Sequence, residues 1–151
     1  MTAWRQWSAG IASAGQPSVA QLGAVAAAGY GVVINLALHD APYSLPDEPA
    51  TVTALGMAYV HIPVIWTRPT AADLHVFFAA MNEHRQHRRF VHCARNMRAS
   101  VFVALYRFRH EGRAKSGILA DIRTVWEPDA VWTAFLHQAL AAVEGERGGR
   151  Q

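Results

Sequence analysis

Between Phe90 and Phe108 the chain runs from a short apolar segment, Phe90-Val91-His92, through Cys93-Ala94-Arg95-Asn96, into a helical pattern. In that pattern Val101, Phe102, Val103, Leu105, Tyr106 and Phe108 leave almost no polar face. A helix apolar nearly all round must lie at the centre of a domain, covered on every side. A strand that enters it directly must be buried as well, which restricts the chain to layered α/β architectures. At the junction stand the only cysteine and, five positions on, Arg98. Backbone N–H groups of such a loop, together with the N-terminus of the following helix, form a cradle for an anion. The same positive field favours thiolate over thiol. A nucleophile and an oxyanion binder thus come from one short segment, which is read as the active site.

The flanking patterns agree with that architecture. Residues 1 to 15 read as an extended lead-in or edge strand. Ser18 suits an N-cap for a helix over Val19 to Ala28, with Gly29 as its end. Gly31 to Leu38 and Met57 to Val64 read as buried parallel strands. A short helix from Asp47 to Leu55, stopped by Gly56, lies between them. Thr70 caps a helix with Leu74, Phe77, Phe78 and Met81 on one face. Ser116 to Trp126 and Pro128 to Val143 form two further helices, with Pro128 at the favoured first position. Glu144 to Gln151 reads as a frayed polar tail. The expectation is one domain over residues 1–151, an α/β sandwich around a mostly parallel sheet of four or five strands.

Composition excludes other classes. At 52% apolar and 17% charged, the 151 residues describe a globular chain. One cysteine rules out an internal disulfide, a resolving thiol within the chain and a cysteine-rich zinc site. No leader and no membrane-length apolar run is read, so the expectation is a soluble cytoplasmic protein without a membrane partner. Arg85, Arg88, Arg89, Arg95 and Arg98 are read as crowding around the cysteine loop and attracting an anionic substrate. No aromatic–basic stacking motif points to nucleic acid. His84 and His87 lack a third ligand, so no metal is assigned.

The segment His92-Cys93-Ala94-Arg95-Asn96-Met97-Arg98-Ala99-Ser100 resembles the phosphate loop of cysteine-dependent phosphatases, written H-C-x5-R-S/T. More closely, it is similar to a bacterial group of dual-specificity-type phosphatases whose loop reads H-C-x-x-N-M-R. Gly15-Gln16-Pro17-Ser18, Ala28-Gly29-Tyr30, Val33-Ile34-Asn35-Leu36-Ala37, Leu45-Pro46-Asp47-Glu48, Tyr59-Val60-His61-Ile62-Pro63-Val64, Pro69-Thr70 and Trp126-Glu127-Pro128 extend the likeness over roughly residues 10 to 136. The resemblance implies a dual-specificity-phosphatase-like fold and hydrolysis of phosphotyrosine or another phosphomonoester. Cys93 would attack phosphorus, and a phosphocysteine would then be hydrolysed. Ala94, Arg95, Asn96, Met97 and Arg98 would hold the phosphoryl oxygens, with no metal or cofactor. A phosphorylated protein or small phosphomonoester is the implied partner, and phosphate or sulfate should seat in the loop.

The chain departs from this pattern in two places. The arginine comes five rather than six positions after the cysteine, and Asn96 stands where glycine is common. Asparagine tolerates the left-handed backbone such a position requires. The loop that supplies the general acid in dual-specificity phosphatases, here Ile65 to Thr70, contains no acid. Asp73 is the nearest, though Thr70-x-x-Asp73 also reads as a capping box. Asp47 and Glu48, with Asp40 behind them, are the alternatives, against a reading as helix N-terminal charge. His92 either positions the loop or ends a strand. Ser100 either stabilises the leaving thiolate or bonds local backbone. Trp66 lines the entrance or packs on the sheet. Two other functions compete: a rhodanese-like sulfurtransferase, which suits the short C-x4-R spacing, and a catalytically weak phospho-ligand binder.

Overall fold

In a computed structural model, which describes residues 1–148, eleven elements follow the expected alternation. They are β1 (Arg5–Ser8), β2 (Ile11–Ala14), α1 (Val19–Ala27), β3 (Tyr30–Asn35), α2 (Glu48–Ala54), β4 (Ala58–His61), α3 (Ala71–Glu83), β5 (Arg88–His92), α4 (Met97–His110), α5 (Lys115–Arg123) and α6 (Ala130–Gly148). The sheet runs β1-β2-β5-β3-β4, antiparallel between β1 and β2 and parallel elsewhere. The expected α/β sandwich around a mostly parallel sheet is the observed fold.

The register aligns the carboxyl ends of four strands. Ala14 and Asn35 both pair with His92, and His61 pairs with Asn35. Those four residues make a row along one rim of the sheet, the rim from which ligand-binding loops of parallel sheets emerge. α4 starts just beyond the central strand and packs under the sheet, with Ala99 and Val101 through Leu105 fully buried. Its larger core also takes in α3 and α6, through Phe77, Met81, Trp132 and Leu136. A smaller core on the other face joins Leu22, Val25, Val52 and Phe90. Burying one large side chain such as Phe102 contributes about 1.5–3 kcal/mol, so the cysteine loop is anchored at both ends by well-packed elements.

Several expectations are corrected. The lead-in is a β-hairpin: β1 is an edge strand, as expected, but β2 lies inside the sheet beside β5. β3 and β4 are shorter than the apolar runs, because Leu36 and Val64 continue the buried pattern as loop. Pro128 precedes α6, and Asp129 is its cap, accepting from Trp132 N–H at 2.9 Å. α6 continues through residues 144–148, so that part of the expected tail is helical; residues 149–151 lie outside the described residues. The five arginines do not share one place. Arg88 and Arg89 occupy the amino end of β5, about 13 Å of strand away from the loop at its carboxyl end. Arg88 donates to the Ala9 carbonyl (3.0 Å), and Arg89 is buried against the Met81 carbonyl and the Tyr106 hydroxyl. Arg95 and Arg98 remain at the loop.

Candidate active site

The loop between β5 and α4 is four residues long, Cys93 to Asn96, and its last residue turns left-handed (φ 67°) to start the helix. Asn96 therefore does the conformational work expected of it, and its Nδ2 donates to the Ala3 carbonyl at 2.6 Å. The loop is held from the side by the turn after β2. Gln16 N–H donates to the Ala94 carbonyl at 3.0 Å, and Gly15 bridges to Arg95. A Cβ on Gly15 would stand 2.6 Å from the Ala94 carbonyl oxygen and 3.1 Å from Arg95 Cα, both backbone atoms. Only glycine permits that approach.

One cavity of about 310 Å³ opens over the loop, lined by Trp66, Cys93, Ala94, Arg95, Met97 and Arg98. Cys93 is buried, yet it forms part of the cavity wall. The Arg98 guanidinium is 5% exposed; it donates to the Val64 carbonyl at 2.8 Å and to the Tyr43 hydroxyl at 3.3 Å. These bonds fix the guanidinium, which shares the cavity wall with Cys93. Arg95 is exposed at the mouth. The Trp66 ring, 37% exposed, packs on Trp126 and Trp132, while its carbonyl accepts from Trp132 Nε1 at 2.9 Å. It therefore both lines the entrance and packs beneath it.

Behind the thiol lies a polar group that the sequence did not assemble. His92 is fully buried; its Nε2 is 2.7 Å from Glu48 Oε2, and its Nδ1 is 3.4 Å from the Cys93 carbonyl oxygen. Gln16 Nε2 donates to the other Glu48 oxygen at 2.7 Å. Burial by itself raises a carboxyl, but the His92 bond and charge, with Gln16 and Tyr59, hold Glu48 below its ordinary value. The Tyr59 hydroxyl is driven up by burial and by the Glu48 charge, and it accepts from Asn35 Nδ2 at 3.0 Å. His61 is pushed down by burial and by its stacking partner His39, 3.6 Å away, although its bond to the Ala37 carbonyl opposes this.

The acid candidates are placed elsewhere. Asp73 and Thr70 exchange reciprocal hydrogen bonds at the start of α3 (3.1 and 3.2 Å), which closes the capping box. Asp47 is exposed, with a left-handed backbone before α2. Neither lines the cavity. The Ser100 hydroxyl donates to the Met97 carbonyl at 2.7 Å and accepts from Trp126 Nε1 at 3.1 Å. Among the described residues no group of His, Cys, Asp and Glu is arranged to hold a metal, and no helix is long and apolar enough to cross a membrane.

A cysteine at the carboxyl end of a central parallel strand, a four-residue loop and a buried helix belong to the fold of the protein tyrosine phosphatase class. TpbA from P. aeruginosa, solved with pTyr, shares it at 17% identity (94% of this chain, 83% of that one, TM-score 0.68). So does the core catalytic domain of the PP-IP phosphatase SIW14 from S. cerevisiae, at 13% identity (89% and 83%, TM-score 0.70). Far nearer is the crystal structure called "Putative phosphatase (DUF442)" from Shewanella putrefaciens CN-32. It is 35% identical over 95% of this chain and 94% of that one, with a TM-score of 0.87. This chain belongs to that DUF442 family. The sequence matches no protein-family model and no curated protein.

Proposed function

We propose that the protein is a cysteine-dependent phosphatase acting on phosphotyrosine or another phosphomonoester. The observation that carries this reading is the single cavity shared by Cys93, Arg98 and the intervening loop. The Cys93 thiolate attacks phosphorus, an S–P bond forms, and the ester P–O bond breaks with its electron pair on the leaving oxygen. Water then attacks the phosphocysteine, releasing phosphate and restoring the thiolate. Arg98 and the loop N–H groups stabilise the equatorial oxygens. With no carboxylate on the cavity wall, solvent supplies the proton to the leaving group, so esters of acidic phenols should react faster than alkyl esters. The test is hydrolysis of an aryl phosphate with competitive inhibition by vanadate. Cys93→Ser should lower turnover by at least about 10³-fold. Turnover that survives this substitution rules the mechanism out.

A second reading, sulfur transfer, is favoured by two observations: the shortened loop from Cys93 to Arg98, and the lack of a carboxylate in the cavity. Attack by Cys93 on the outer sulfur of thiosulfate would release sulfite and leave a cysteine persulfide. Cyanide would then accept that sulfur as thiocyanate and regenerate the thiolate. Transfer from thiosulfate to cyanide without aryl phosphate hydrolysis would establish this reading over the first.

A further inference from the structure

Glu48 is the least expected charge in the molecule. It opens the seven-residue helix α2, is 2% exposed, and lies 44 positions from the residue it pairs with. A buried carboxylate is costly unless it is paired and fully hydrogen-bonded. Here both oxygens are used, one by Gln16 and one by His92, each at 2.7 Å. The His92 ring consequently has an oxygen opposite each nitrogen, Glu48 on one side and the Cys93 carbonyl on the other. The ring thus spans from the Glu48 carboxylate to the peptide of Cys93 itself.

We propose that Glu48 is a positioning residue. It holds the His92 ring against the Cys93 carbonyl, which fixes the first peptide of the loop beside the sulfur. The inference rests on the cysteine-centred reading above and extends it to a residue outside the cavity. Other groups face the pair from every neighbouring element. Gln16 comes from the turn after β2, and Tyr59 and His61 from β4. His39, from the loop after β3, stacks on His61 and has its Nε2 2.8 Å from the Tyr59 hydroxyl. None of these bonds the His92 ring, so among the described residues Glu48 is the side chain that holds it directly.

Because Cys93 is the only cysteine, its alkylation by iodoacetamide reads the thiolate without any substrate. In the full chain, Glu48→Gln keeps the shape and an acceptor for Gln16 but removes the charge. The alkylation profile should move to higher pH, with the rate at about pH 6 falling about tenfold. Glu48→Asp should recover part of the loss, and His61→Gln should leave the profile within about twofold. A folded Glu48→Gln protein whose profile superimposes on the wild type overturns the proposal. Should that variant fail to fold, nitrogen NMR of the wild-type His92 ring decides: hydrogen on both ring nitrogens near neutral pH sustains it, and one bare nitrogen overturns it. The two readings fail separately. A shifted profile in a protein inert toward aryl phosphate and thiosulfate removes the proposed function alone, whereas normal turnover with an unshifted profile removes only the role of Glu48.

Discussion

The two sides of the cysteine loop are built differently. Behind Cys93, half-buried Gln16 and buried Glu48 and His92 form a chain of bonds, and Gly15 lets the neighbouring turn touch the loop backbone. In front of it the cavity is walled by Trp66, Met97 and Arg98, with Arg95 at the mouth and no carboxylate. In the proposed mechanism the inner side fixes the nucleophile and the outer side receives an anion. In that mechanism solvent delivers the proton to the leaving group. The comparison teaches that the polar support behind the cysteine and the cavity in front of it are built from different elements.

Substitutions test that division in order of expected effect. On the outer side, Arg98→Lys replaces a planar fork, anchored by the Val64 carbonyl and the Tyr43 hydroxyl, with a point charge that cannot span the same acceptors. Steady-state kinetics should show kcat lower by about 10²-fold. On the inner side, Gly15→Ala pushes a methyl into the Ala94 carbonyl. Thermal or urea unfolding should register a loss of about 1–3 kcal/mol, as in other overpacked sites. Activity should fall with it, since the displaced atoms belong to the loop.

Asp73→Asn tests whether the acid is truly separate. Losing the carboxylate from the capping box should cost at most about 1 kcal/mol of stability. It should leave kcat within about twofold, because Asp73 is not on the cavity wall. A hundredfold fall would instead make Asp73 the acid and erase the contrast between the two sides. Smallest is the pH dependence of stability. His61 is shifted down in the folded state, so the unfolded chain binds its proton first, at about pH 6.5. Stability should therefore decline as pH falls from there, and His61→Gln should flatten that part of the curve. Glu48, also shifted down, contributes stability that is present above the ordinary carboxylate value and lost on further acidification. Glu48→Gln should remove that lower segment.

Much that depends on contiguous residues was legible before the structure. The strand, loop and helix from Phe90 to Phe108, the left-handed Asn96, and the caps at Ser18 and Thr70 are local consequences of residue type. The hairpin was obscured because Ala12, Ser13 and Ala14 are small and all fully buried, which erases the alternation that marks a strand. The crowd of arginines dissolved because strand direction sends Arg88 and Arg89 to the far end of β5. Glu48 was visible only as an alternative general acid or as helix N-terminal charge. Its partnership with His92 arises when β3 and β5 pair and the loop after β3 returns α2 over the rim, which no local pattern encodes.

The central claim is that the Cys93 sulfur receives the transferred group, and intact-mass analysis of an acid-quenched reaction tests it most directly. Mixing the protein with an aryl phosphate should yield a species heavier by one phosphoryl group, mapped to Cys93 and absent from Cys93→Ser. Hydrolysis that proceeds with no adduct in the wild type, and continues undiminished in Cys93→Ser, would contradict the account.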